Sequence, residues 1–225
     1  MKKTIGIKLS VFFLASILLV ANANALGLGV SFPSYMVGSS DVEYDWDDRS
    51  DQDVDADISS LGGGFVMDTA VANDRVFNYR FNFEHEKLEY EYDEISMTHD
   101  FARTSLNQTF GFGIVRNEDV RIWFGPHISL SYISAKDSHT VGNLRETIEV
   151  DAVGFGIGPV IGTNIHIGHE VSLGLEAGYR KTFYFGTADI DHSMNHYDSD
   201  SGYFDSSESA FFIKCSILFR IKDIY

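Results

Sequence analysis

The chain has 225 residues, with 17 Lys+Arg against 33 Asp+Glu, a formal net charge of −16, 44% hydrophobic and 14% aromatic residues, and one cysteine. The apolar content excludes a disordered chain, and the acidic balance argues against a nucleic-acid binder, because a negative surface repels phosphates. A single cysteine excludes an intramolecular disulfide framework and a multi-cysteine zinc site.

Residues 1–25 read as a secretory signal peptide. Lys2, Lys3 and Lys8 are followed by an apolar run from Val11 to Val20, then by the small-x-small pattern Ala23-Asn24-Ala25. The apolar run is shorter than the ~20 residues that a helical span needs. Residues 26–225 then form one domain, and no later stretch approaches a helical span. That domain is either soluble or crosses a membrane as a β-barrel, the other way to satisfy a backbone in lipid.

From Leu26 onward the chain alternates with period two. Fainter strands lie near Leu26–Phe32, Leu61–Val71 and Ala102–Val115. Phe77, Tyr79, Phe81 and Phe83 alternate with Asn78, Arg80, Asn82 and Glu84, one apolar and one polar face. The same pattern runs through Ile122–Tyr132, Val153–Ile161, Leu173–Phe183 and Phe211–Ile221, which makes eight strands. Three connections are short and carry turn residues: Asn73-Asp74-Arg75, Asn117-Glu118-Asp119 and Gly168-His169-Glu170. Four polar segments read as long loops: Ser34–Ser59, Glu89–His99, Lys136–Glu149 and Gly186–Glu208. Long and short connections strictly alternate, which in an up-and-down barrel puts all long loops at one rim.

The strand pattern leaves open which face points inward. The polar face is rich in glycine, serine and charge, a poor lining for a lipid pocket and a good one for a polar lumen. The strands are long enough for the ~9–11 residues of a tilted membrane crossing. Phe32, Tyr79, Tyr132, Phe183, Phe185 and Tyr225 sit near strand ends, where interfacial girdles belong. These features favour an all-β, eight-stranded, antiparallel, up-and-down transmembrane barrel with short periplasmic turns and long external loops.

With these features the chain resembles the small eight-stranded outer-membrane β-barrel proteins of Gram-negative bacteria, the OmpA-transmembrane, OmpX and OmpW type. The likeness is architectural and spans residues 26–225. It implies localisation in the outer membrane, contact with lipopolysaccharide, and assembly by the barrel-assembly machinery, which reads a terminal aromatic residue. Tyr225 is terminal, with Ile221, Phe219 and Ile217 in its parity and Asp223 interrupting the series.

Four constellations could carry function. Asp68, Arg80, Glu84, Arg103, Arg121, Glu176, Arg180, Lys214 and Arg220 share the polar face, and as a lumen network they must pair. They form either a salt-bridged plug or a gated path, and inward glycines such as Gly154, Gly156, Gly158, Gly174 and Gly178 leave room for a small pore. Asp41, Glu43, Asp45, Asp47, Asp48, Asp51, Asp53, Asp55 and Asp57 make the first long segment acidic, suited to solubility or to weak divalent-cation binding. Ala56 and Gly62 stand where an EF-hand needs glycine and glutamate, so that motif is rejected. His192 and His196 lie four apart among aspartates. His127-Ile128-Ser129 matches the His-x-Ser pair of lipid A deacylases, but its parity puts it inside, away from lipid.

The reading is a non-enzymatic structural or surface-interaction barrel with acidic external loops, no cofactor and no catalytic or metal site. The alternatives are a small channel for ions or solutes, and, behind it, a lipid A-modifying enzyme.

Overall fold

The computed structural model describes residues 26–221 except 47–49, 51, 72–74, 93–96, 142–143 and 195, and gives no side chains at 52, 97, 137–146 and 192–200. Residues 1–25, with the signal-peptide reading, and Tyr225 lie outside the described residues. Eight strands follow in chain order: β1 Leu26–Trp46, β2 Gln52–Asp68, β3 Phe77–Tyr92, β4 Met97–Arg116, β5 Val120–Val141, β6 Leu144–Ile167, β7 Val171–Met194 and β8 His196–Ile221. Each pairs antiparallel with the next, and β1 closes on β8, giving an up-and-down barrel. Closure leaves no free edge.

The turns at Asn117-Glu118-Asp119 and Gly168-His169-Glu170 form as the sequence predicts, while Asn73 and Asp74 of the third lie outside the described residues. Asn117 accepts the amides of Asp119 (3.0 Å) and Val120 (2.7 Å) on its side-chain oxygen, an Asx turn. Gly168 takes φ +63°, a conformation that disfavours a Cβ. Thr69 caps the β2–β3 connection, donating its amide to the Tyr79 carbonyl (3.0 Å) and accepting the Tyr79 amide on its hydroxyl (2.9 Å).

Among the described residues the four segments expected as long loops are largely strand. β1 runs to Trp46 and β2 starts at Gln52, β3 and β4 are separated only by 93–96, β5 and β6 by 142–143, and β7 and β8 by 195. Registers continue through these stretches, from Val42↔Val54 to His192↔Asp198. Strands of 16 to 26 residues exceed the ~9–11 that a membrane crossing needs, so the barrel continues well past one face of the bilayer.

The physical reason is an inversion of the two faces along each strand. In the half next to the short turns, the outward residues are apolar and exposed: Val30, Phe32, Phe65, Phe83, Phe124, Ile157, Ile161, Phe211, Phe219 and others form a lipid-facing belt. The inward residues there are polar and buried, among them Arg80, Asn107, Ser129, Asn164 and Lys214. In the extension the assignment reverses. Val42, Trp46, Ala56, Ile58, Leu88, Tyr90, Tyr92, Phe101, Ile133, Val150, Tyr184, Ile190 and Phe204 are buried in one apolar cluster. Their alternating neighbours Asp41, Glu43, Asp45, Asp53, Asp55, Asp57, Asp100, Asp151, Asp189 and Asp205 are exposed. Lipid demands an apolar outside, water a polar one, and the closed sheet serves both because its side chains alternate in either medium.

Candidate functional site

The lumen of the membrane half is a filled polar column. At the end next to the short turns Arg80 on β3 gathers four strands. Its Nη1 lies 3.4 Å from Asp68 Oδ2, and its Nε lies 2.7 Å from Glu176 Oε1. Nη2 donates to Ser216 Oγ at 2.6 Å and Nη1 to Asn164 Oδ1 at 3.3 Å, and Asn164 in turn donates to Asp68 Oδ2 at 3.2 Å. The guanidinium also lies 5.9 Å from the ring centroid of Trp123.

The next layer centres on Glu84. Lys214 Nζ lies 2.5 Å from its Oε2, and Asn107 Nδ2 donates to the same oxygen at 2.6 Å. Arg180 reaches in from β7 without a carboxylate partner among the described residues. Its Nη1 donates to Asn107 Oδ1 and Ser129 Oγ, each at 3.4 Å, and Nη2 lies 3.3 Å from Met36 Sδ.

The outermost polar layer is held by Arg103. Its Nε donates to Glu86 Oε2 at 2.7 Å, Nη1 lies 3.2 Å from Glu208 Oε2, and Nη2 donates to Ser60 at 3.1 Å. Ser34 donates to Glu86 Oε1 at 3.0 Å, and the Tyr90 phenol donates to Glu208 Oε1 at 2.6 Å. Above Tyr90 the apolar core begins.

The expected network is therefore brought together with two additions and one correction. Asp68, Arg80, Glu84, Arg103, Glu176, Arg180 and Lys214 are joined as described. Arg121 is buried below them, its Nη2 3.4 Å from Asn78 Oδ1. Arg220 does not enter the lumen. It sits at the rim and donates to the Gly168 carbonyl, because its strand ends there and the turn carbonyl lies within its reach. Glu86 and Glu208 are the missed members. Glu86 follows Glu84 in parity and Glu208 precedes Lys214 in parity, so period two could have found both. Five buried acids (Asp68, Glu84, Glu86, Glu176, Glu208) thus face five buried bases (Arg80, Arg103, Arg121, Arg180, Lys214), and the formal charges cancel.

The space beside these inward glycines is occupied by other groups. A Cβ at Gly154 would strike the Tyr184 ring, at Gly156 the Arg180 stem (2.9 Å), at Gly162 the Trp123 indole, and at Gly174 Ser216 Oγ. Each of these glycines leaves its space to a side chain from another strand.

His127 and Ser129 point inward and are fully buried. His127 Nδ1 lies 3.1 Å from Thr109 Oγ1, Ser129 Oγ lies 3.1 Å from Ser131 Oγ, and among the described residues no carboxylate contacts either. His192 and His196 fall in β7 and β8, with side chains outside the described set. Among the described residues no group of three or more His, Cys, Asp or Glu could hold a metal ion.

The acids of the supposed first loop stand on the outer wall of β1 and β2. The register sets like charges directly opposite each other: Asp41 with Asp55, and Glu43 with both Asp53 and Asp205. Such cross-strand pairs are unfavourable. Among the described residues two cations interrupt the collar and are already paired: Lys87 with Glu89 (2.8 Å) and Asp100 (3.0 Å), and Lys136 with Glu149 (2.8 Å). Those acids raise both ammonium groups above the usual lysine value.

No family model matches this chain, and no curated protein matches it. Among solved structures it is similar to the outer membrane protease OmpT from Escherichia coli, at 7% identity and a TM-score of 0.40, covering 89% of this chain and 98% of that one. It is also similar to the Neisserial surface protein A, NspA, at 13% identity and a TM-score of 0.31, covering 83% of this chain and 97% of that one. What the molecule itself displays is an eight-stranded antiparallel closed barrel with an exposed apolar belt, a polar lumen packed with side chains and an acidic extension.

Proposed function

We propose that this protein is a non-enzymatic barrel of the Gram-negative outer membrane, delivered by its signal peptide, that anchors a rigid acidic extension at the cell surface. The observation that carries this reading is the charge-balanced column of ten buried ionisable side chains, capped by the apolar core of the extension. An eight-stranded barrel has an interior only just wide enough for its own side chains, and here Trp123, Arg180 and Tyr184 occupy the space beside the inward glycines. Function then resides on the outer wall of the extension, which meets lipopolysaccharide, divalent cations or another surface.

The test is ion conductance of the refolded protein in a planar bilayer, with folding checked beforehand by a heat-dependent gel shift. The expected result is a silent bilayer. Discrete, reproducible openings would overturn this reading in favour of a channel, and Glu176 and Arg180 would then be the residues to neutralise. A lipid-modifying activity is the weaker alternative, since His127 and Ser129 face the lumen and have no carboxylate partner among the described residues.

A further inference from the structure

The lipid-facing belt is interrupted where β5 meets β6. Pro126 on β5 stands opposite Pro159 on β6, and neither brings an N–H to the ladder. On the far side of each proline the register loses two rungs: β4–β5 passes from Thr109↔His127 to Phe112↔Phe124, and β6–β7 from Ile157↔Lys181 to Val160↔Gly178. Gly125, Gly158, Gly178 and the small Ala177 surround the break, so no large side chain covers it. The result is an apolar groove of about 890 Å³ in the membrane wall, flanked by Phe124, Ile157, Ile161, Tyr179 and Phe211.

A cation stands at one end. Lys181 is exposed on the same face of β7, two residues beyond Tyr179 toward the extension, and directly opposite the groove residue Ile157. Its Nζ lies 5.5 Å from the Phe183 ring centroid, and it makes no ion pair among the described residues. Lys87 and Lys136, the cations of the collar, are neutralised by acids; Lys181 is not.

We infer that this groove is a lipid-binding site that seats one acyl chain of lipid A, with a lipid A phosphate on Lys181. In a bilayer no hydrophobic driving force separates groove from solvent lipid, so retention must come from close packing and from charge. The groove supplies the packing and Lys181 the charge complement to an anionic headgroup. The side of the belt on which Lys181 lies commits the site to the leaflet beneath the extension, the outer leaflet. This inference rests on the outer-membrane reading above.

The experiment is native mass spectrometry of the refolded full chain released from detergent micelles holding purified lipid A, phosphatidylglycerol or phosphatidylcholine in separate runs. Each sample is first shown to be folded by its heat-dependent gel shift. The wild type should retain one lipid A molecule and neither phospholipid. Lys181→Gln should lower the retained fraction about tenfold or more, the loss of one hydrogen bond to a charged group. Ala177→Trp, which fills the groove, should do the same, whereas Leu173→Trp, on the same face of β7 outside the groove, should not. Absence of a lipid A adduct on folded wild type, equal retention of either phospholipid, or retention unchanged in both Lys181→Gln and Ala177→Trp would overturn the inference. Conductance reads the proposed function and lipid retention reads this site, so either can fail without the other.

Discussion

Tyr90 on β3 and Glu208 on β8 are joined across the lumen by a 2.6 Å hydrogen bond, the phenol donating to Oε1. The two strands are not neighbours in the ring. Tyr90 belongs to the apolar core of the extension, whereas Glu208 belongs to the polar column through Arg103. This one contact therefore marks the level at which the barrel turns from polar-inside to apolar-inside.

Removing Glu208 should be costly. Glu208→Ala leaves Tyr90 without its acceptor and gives Arg103 only Glu86 to balance it. Breaking one side of a buried ion pair costs about 3–5 kcal/mol. Glu208→Gln keeps an acceptor for Tyr90 and should lose less. Urea-dependent unfolding from lipid vesicles, followed by the heat-sensitive gel shift, would rank the two. Equal, negligible losses would mean that the polar column does not support the fold.

The extension can be tested as structure rather than loop. Phe204 is fully buried, 5.5 Å in ring centroids from Tyr44. Phe204→Ala should destabilise the extension by about 3–5 kcal/mol, the cost of truncating a buried aromatic. A residue in a solvated loop would change stability by only about ±0.5 kcal/mol. Protease sensitivity of intact cells or proteoliposomes would read the difference, with cleavage appearing between 186 and 208 in the variant.

The packing of the lumen makes a prediction at glycine. A Cβ at Gly162 would meet the Trp123 indole, so Gly162→Ala should cost about 1–3 kcal/mol by overpacking. An open lumen would accept the methyl group without loss. Refolding yield and thermal midpoint of the heat-modifiable form would decide, and the paired variant Gly162→Ala, Trp123→Phe should recover part of the loss.

The extension should also be sensitive to alkali. Burial raises the phenols of Tyr44 and Tyr92 above the ordinary tyrosine value of 10.0, and their hydroxyls meet at 3.2 Å. An acid whose value is raised in the folded state holds its proton longer there than in the unfolded chain. Its contribution is therefore complete below the unfolded value and falls as pH rises above it. Tyrosinate absorbance should develop later in the folded protein than in denaturant, and should appear together with loss of the extension's protease resistance. Titration of all tyrosines at the unfolded value would contradict the burial.

The sequence by itself determined the number of strands, their order, the short turns and the polar identity of the lumen. Period two is a local property, and Phe77–Phe83 or Phe211–Ile221 display it without help from the rest of the chain. It also held the extension in plain view. Asp41-Val42-Glu43-Tyr44-Asp45-Trp46 and Asp53-Val54-Asp55-Ala56-Asp57-Ile58 alternate strictly, yet their charge reads as loop when polarity is weighed before period. Only the tertiary structure decided that these faces invert, because inside and outside exist only once β1 closes on β8. The partners of Arg103, the displacement of Arg220 to the rim and the filling of the space beside Gly154 and Gly162 were settled by the same closure. Each depends on groups from other parts of the chain, on adjacent strands or across the barrel, and no local pattern encodes that pairing.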